Sequence, residues 1–102
     1  MNLLESCRIV PGAIVSKPVL DAPEGRAVLF AMDAGQVMSE HRAPFLAAVH
    51  VLDGRLTFTV AGQQHDLGPH TWLAMPVNAA HSLTALEPTR FLLTLFKPSA
   101  SR

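Results

Sequence analysis

The chain has 102 residues, 49% of them hydrophobic and only 16% charged, a balance that packs one core and argues against disorder. Eight basic side chains cancel eight acidic ones, so there is no basic footprint for nucleic acid or an anionic membrane. No apolar run approaches the ~20 residues of a membrane-spanning helix, and a single cysteine excludes an internal disulfide, making the cytoplasm the expected compartment.

Met1 to Val10 carries Glu5 and Arg8 within its apolar stretch and has no small-residue cleavage pattern, so it does not read as a signal peptide. Leu3 to Arg8 suffices for one helical turn, and Cys7 within it reads as an inert thiol. From there turn residues recur at short intervals: Pro11-Gly12, Pro23-Glu24-Gly25, Asp33-Ala34-Gly35, Asp53-Gly54, Gly62, Gly68-Pro69, Pro76-Val77-Asn78 and Glu87-Pro88. Short segments between frequent turn signals predict an all-β sandwich or barrel. Within this frame Arg26 to Met32 is a strand apolar on both faces, which requires a layer on each side. Leu56, Phe58 and Val60 alternate with Thr57 and Thr59, the period of a strand with one wetter face. Asp53-Gly54 before it is a hairpin signal, since both residues tolerate positive φ. Gln64 to Leu67 follows the turn at Gly62, and Arg90 to Phe96 is again apolar on both faces. One domain is expected over 1–102, its barrel core at about 26–97. In so small a barrel the apolar surplus predicts a homodimer, with the second subunit as the outer layer.

Two segments carry a family pattern. Gly35 is followed by five residues and then His41; Ala43 comes two positions later, Ala47 four beyond that, and Gly54 closes the stretch after six intervening residues. Further on stands Met75-Pro76-Val77-Asn78-Ala79-Ala80-His81. These resemble the paired motifs of the cupin superfamily, in particular small single-domain bacterial cupins. The resemblance implies a cupin or RmlC-like double-stranded β-helix, a jelly-roll barrel, over roughly Val28 to Lys97. In metal-dependent cupins three histidines and a carboxylate point into the barrel. Here Ala43 and Ala47 replace the second histidine and the glutamate, while His70 and Ala85 replace a glycine and an asparagine of the second motif.

Carried over position by position, only His41 and His81 survive as metal ligands, implying at most a weakly held divalent transition metal (Zn, Fe, Ni or Mn). The same pair, with Phe45 and Met75, is expected to line a pocket for a small molecule, because neutral imidazole donates, accepts or shuttles a proton near pH 7. Two buried histidines satisfied by hydrogen bonds and water would read alike in the sequence. The functional expectation is a small-molecule-binding or regulatory cupin of unknown ligand. The alternative is a metal-dependent cupin enzyme, of dioxygenase or isomerase type, with an incomplete two-histidine site.

Other candidates have plainer readings. Counting alternately from Ala47 turns His50 outward unless a bulge intervenes. His65 and His70 flank Gly68-Pro69 as solvated residues, Arg90 is an exposed strand end, and Arg42 is a candidate for an anionic ligand. Trp72, Phe45, Phe58 and Phe91 read as core or interface packing.

Overall fold

The computed structural model describes residues 1–98 and contains one helical turn and nine strands. The turn is α1 (Leu3–Ser6), and the strands are β1 (Ile14–Ala22), β2 (Gly25–Met32), β3 (Val37–Arg42), β4 (Leu46–Asp53), β5 (Leu56–Val60), β6 (Gln63–Leu67), β7 (Trp72–Met75), β8 (Ala80–Ala85) and β9 (Thr89–Phe96). They form two antiparallel sheets, in the orders β1-β2-β9-β4-β7 and β3-β8-β5-β6. The side chains between the sheets make the core. Met32, Val49, Met75 and Phe91 come from the first sheet, and Leu56, Phe58 and Leu83 from the second. Phe30 and Phe91, paired across β2 and β9, stack with ring centroids 4.9 Å apart. The alternation in β5 holds, with Leu56, Phe58 and Val60 buried and both threonines half-exposed.

The other side of the first sheet explains why β2 is apolar on both faces. Leu29 and Ala31 are fully buried there, and Cys7 joins them, with Leu3, Ile9, Val15 and Leu92 packed around. The outer layer over this half of the sheet is thus the chain's own N-terminal segment, not a second subunit as the sequence suggested. Its anchor is Arg90, which is no free strand end. Its guanidinium bonds Asp53 Oδ2 at 2.6 Å, and its Nε–H donates to the Cys7 carbonyl at 2.8 Å. The segment is held on one side by the hydrogen bond from Arg90, itself fixed by Asp53, and on the other by apolar burial.

Asp53-Gly54 makes the β4–β5 turn, with Gly54 at φ +85°. Thr89 folds over it: the Arg55 amide donates to Thr89 Oγ1 at 3.0 Å, and that hydroxyl lies within 2.8 Å of the Glu87 carbonyl.

Connectivity sorts the strand ends. Gly25 pairs with Phe96 and Phe96 with Leu46, Ala47 with Met75, and His41 and Val60 both pair with His81. The turns joining β1 to β2, β3 to β4, β5 to β6 and β7 to β8 therefore gather at one end of the barrel. Two loops there are tied together by the Asn78 amide donating to the Ala43 carbonyl at 2.9 Å, and by Arg42 Nη1 donating to the Asn78 carbonyl at 2.8 Å. Arg42 thus serves as a staple between loops.

Candidate functional site: a histidine pair at the barrel mouth

His81 is the second residue of β8, and its alternation partners Leu83 and Ala85 are core residues, so its ring faces the interior. His41 reaches the same side through an irregularity. Met38 pairs with Leu83, and the next pair is His41 with His81, three residues along β3 against two along β8. That extra residue is a β-bulge, which turns the following side chain to the other face. In a regular strand Met38 and His41, an odd number of positions apart, would face opposite ways. With the bulge, Met38 packs on the core and His41 meets His81.

The two imidazoles lie 4.0 Å apart between centroids, inclined at 62°. The Phe58 ring lies nearly parallel to His81 at 6.0 Å. His41 opens to solvent, while His81 is only 5% exposed. Each ring places Nδ1 against a backbone carbonyl two residues earlier, Ser39 O at 2.9 Å for His41 and Ala79 O at 3.3 Å for His81. A carbonyl only accepts, so both contacts select the tautomer protonated on Nδ1 and leave the Nε2 lone pairs for another partner. Burial holds His81 below the ordinary histidine pKa. The Ala79 carbonyl opposes that shift, and a charge on His41 adds to it. The mouth therefore presents a shielded neutral acceptor beside a solvated imidazole.

To a metal ion the site offers two side-chain donors, His41 and His81. Ala47 is a buried core residue and Ala43 lies in the β3–β4 loop, and neither offers a donor atom. Among the described residues no three histidine, cysteine, aspartate or glutamate side chains come together as a metal-binding group. Two imidazoles make half of a four-ligand set.

The remaining candidates separate. Met75 is buried at the end of β7, opposite Ala47, inside the barrel. Phe45 lines a groove of about 380 Å³ with Pro44, Leu46, Val77, Phe96 and Pro98, to which neither histidine contributes a wall. His50 faces outward, between Leu92 and Trp72 on the outer side of the first sheet. Trp72 is 65% exposed, on the surface rather than in the core. His70 occupies a turn at φ +66°. His65 is not a fully solvated residue: it pairs with Phe58, sharing its inward side, and is half-buried at the sheet edge.

Two antiparallel sheets wound as a jelly roll, with a histidine from each motif strand at one end, define a cupin barrel. The chain belongs to the AraC-like ligand-binding domain family, which it matches over residues 25–101. No curated protein sequence matches it significantly. Among solved structures it is similar to a conserved protein of unknown function, SPY1581 from Streptococcus pyogenes, with 25% identity and a TM-score of 0.92 over 98% of this chain and 88% of that one. It is also similar to a cupin 2 conserved barrel domain protein from Leptotrichia buccalis, 30% identical, with a TM-score of 0.91 over 95% of this chain and 47% of that one. KdgF from Halomonas sp. shares the fold at 23% identity, with a TM-score of 0.77 over 100% and 96% of the two chains.

Proposed function

We propose that this cupin is a small-molecule-binding or regulatory domain whose ligand enters the barrel mouth and is oriented by His41 and His81. The observation that carries the reading is the cross-strand pair itself. Two imidazoles 4.0 Å apart have their Nδ1 atoms committed to backbone carbonyls, leaving two Nε2 atoms able to accept from a ligand. The family's description as ligand-binding domains agrees with this. Met75 belongs to the inner wall below the pair, whereas Phe45 belongs to the outer groove. The test is imidazole NMR against a panel of small polar compounds, in the wild type and in His41→Ala and His81→Ala. Binding that shifts the Cε1–H signals of both rings and is lost in each variant supports the reading; binding unchanged in both variants removes it.

The metal-dependent enzyme is the second reading, and the two free Nε2 atoms favour it. With alanine at 43 and 47, a divalent ion such as Zn, Fe, Ni or Mn would gain two protein bonds against its dehydration cost and be held weakly. No reaction step is assigned to it.

For the assembly we propose a homodimer through the outer face of β4, β7 and β9, where Leu46 and Phe96 are exposed at the groove of Phe45 and Trp72 is exposed further along the face. The N-terminal segment covers the other half of this face but not this one. The patch carries no charge, and an uncharged apolar surface is complementary to itself across a two-fold axis. The buried free thiol of Cys7 fits action in the reducing cytoplasm.

A further inference from the structure

We propose that the ligand of the barrel mouth carries a carboxylate, held by Arg26 across the opening from the histidine pair. This rests on the reading of the mouth as the ligand site. Arg26 is the second residue of β2, at the same end of the barrel as His41 and His81. Further along β2, Phe30 and Met32 alternate with it and pack into the core, as does Leu95, its partner on β9. Arg26 thus leaves the backbone toward the interior, a long cation where the strand pattern calls for an apolar residue.

Its Nε is buried and, among the described residues, has no hydrogen-bond partner. A buried guanidinium N–H without an acceptor is unfavourable, so a protein that keeps one at an open site offers it to something that arrives. The obvious internal acceptor is engaged elsewhere. Asp21 pairs with Arg26 across β1 and β2, but its Oδ1 takes Lys97 Nζ at 2.9 Å. The Asp21 carboxyl is held below its usual pKa first by Lys97, with Arg26 adding only through its charge. Lys97, whose amide also donates to the Glu24 carbonyl in the β1–β2 turn, thus occupies the Asp21 carboxylate and leaves the Arg26 guanidinium without a side-chain anion of its own. On the other wall His81 turns Nδ1 to the Ala79 carbonyl, which leaves its Nε2 to accept a hydrogen bond. A planar fork of N–H donors facing a neutral acceptor suits a monoanionic carboxylate with a neighbouring hydroxyl or other donor.

The experiment follows the His41 and His81 Cε1–H signals at fixed pH during titration with acetate, lactate and benzoate, with acetamide, lactamide and benzamide as neutral counterparts, and with inorganic phosphate. At least one acid is expected to bind ten-fold or more tightly than its amide. Arg26→Gln removes that preference, and Arg26→Lys restores part of it. Equal binding of acid and amide, an unaltered preference in Arg26→Gln, or phosphate binding ten-fold tighter than every acid each overturns the carboxylate while the mouth remains a ligand site. If no compound moves either histidine signal, the mouth itself is not the site and both readings fall.

Discussion

Replacing Gly54 with alanine tests how the β4–β5 turn sets the barrel. Gly54 sits at φ +85°, where an L-residue pays about 1–2 kcal/mol. A Cβ there would also run into the Pro88 carbonyl oxygen and Thr89 Oγ1, and lie 2.7 Å from Thr89 Cα. Backbone atoms cannot swing aside as a side chain can, so the 87–89 turn must move. Moving it breaks the bond from the Arg55 amide to the buried Thr89 hydroxyl, worth about 1 kcal/mol net, together with the bond that hydroxyl donates. The sum is roughly 3–4 kcal/mol, against a total stability of about 5–15 kcal/mol for a domain of this size. Gly62 is the matched control. It has φ +80° but open space around a Cβ, so Gly62→Ala costs only the backbone term of about 1–2 kcal/mol. In urea unfolding with unchanged m-values, Gly54→Ala should lose at least about 2 kcal/mol more than Gly62→Ala, and at about 4–8 °C per kcal/mol it should melt at least 8 °C lower. Equal losses would refute the collision and leave the φ argument alone.

Stability should fall as the pH drops below about 6.5, the ordinary histidine value, because His81 has a lowered pKa in the folded state and the unfolded chain binds its proton more readily. That contribution is complete above 6.5 and is lost as the pH falls through the folded value. His81→Phe should flatten the slope in this window, and an unchanged slope would assign the pH dependence elsewhere. Dialysis after mild chelation should leave well under one divalent metal ion per chain by elemental analysis; a stoichiometric ion would favour the enzyme reading. Light scattering at micromolar concentration should give the dimer mass, and Trp72→Asp the monomer mass with an unchanged fold; a monomeric wild type would remove the interface. Arg90→Ala, which cuts the bonds to Asp53 and the Cys7 carbonyl, should cost about 1–3 kcal/mol and speed amide exchange most around residues 3–9. Uniform acceleration would place the anchor elsewhere.

The architecture was legible because turn chemistry and strand alternation are local. Asp53-Gly54, Gly62 and Pro76-Val77-Asn78 fall between strands, and the two-sided apolar segments became β2 and β9, interior strands of the first sheet. What covers such a strand is a tertiary fact. Leu29 and Ala31 demanded an outer layer, but nothing in their own spacing says that Leu3, Cys7 and Ile9 supply it, and a subunit interface was the wrong inference for that half of the sheet. That Phe45 lines a groove with Phe96 and Pro98 depends on the pairing of β4 with β9, which its place near His41 along the chain does not show. Arg90 read as a strand end because its partner Asp53 is far away in sequence.

The histidines are the instructive case. Motif spacing named His41 and His81, yet simple alternation from Met38 would point His41 outward, and only the bulge reverses it. A two-residue period carries the core but is blind to a single inserted residue, and sites are where such insertions occur. Arg26 escaped notice for the opposite reason: its position in the alternation is regular, and its residue type breaks the pattern. An arginine at an inward position of an otherwise apolar strand resembles a frayed strand end until the register shows Leu95 opposite it and the histidines at the same mouth. A departure from pattern at an open barrel end therefore says more about function than the pattern does, because core packing would have favoured another leucine there. The residues that fit worst as core, one arginine and two histidines, are the ones that the fold brings to a single end of the barrel.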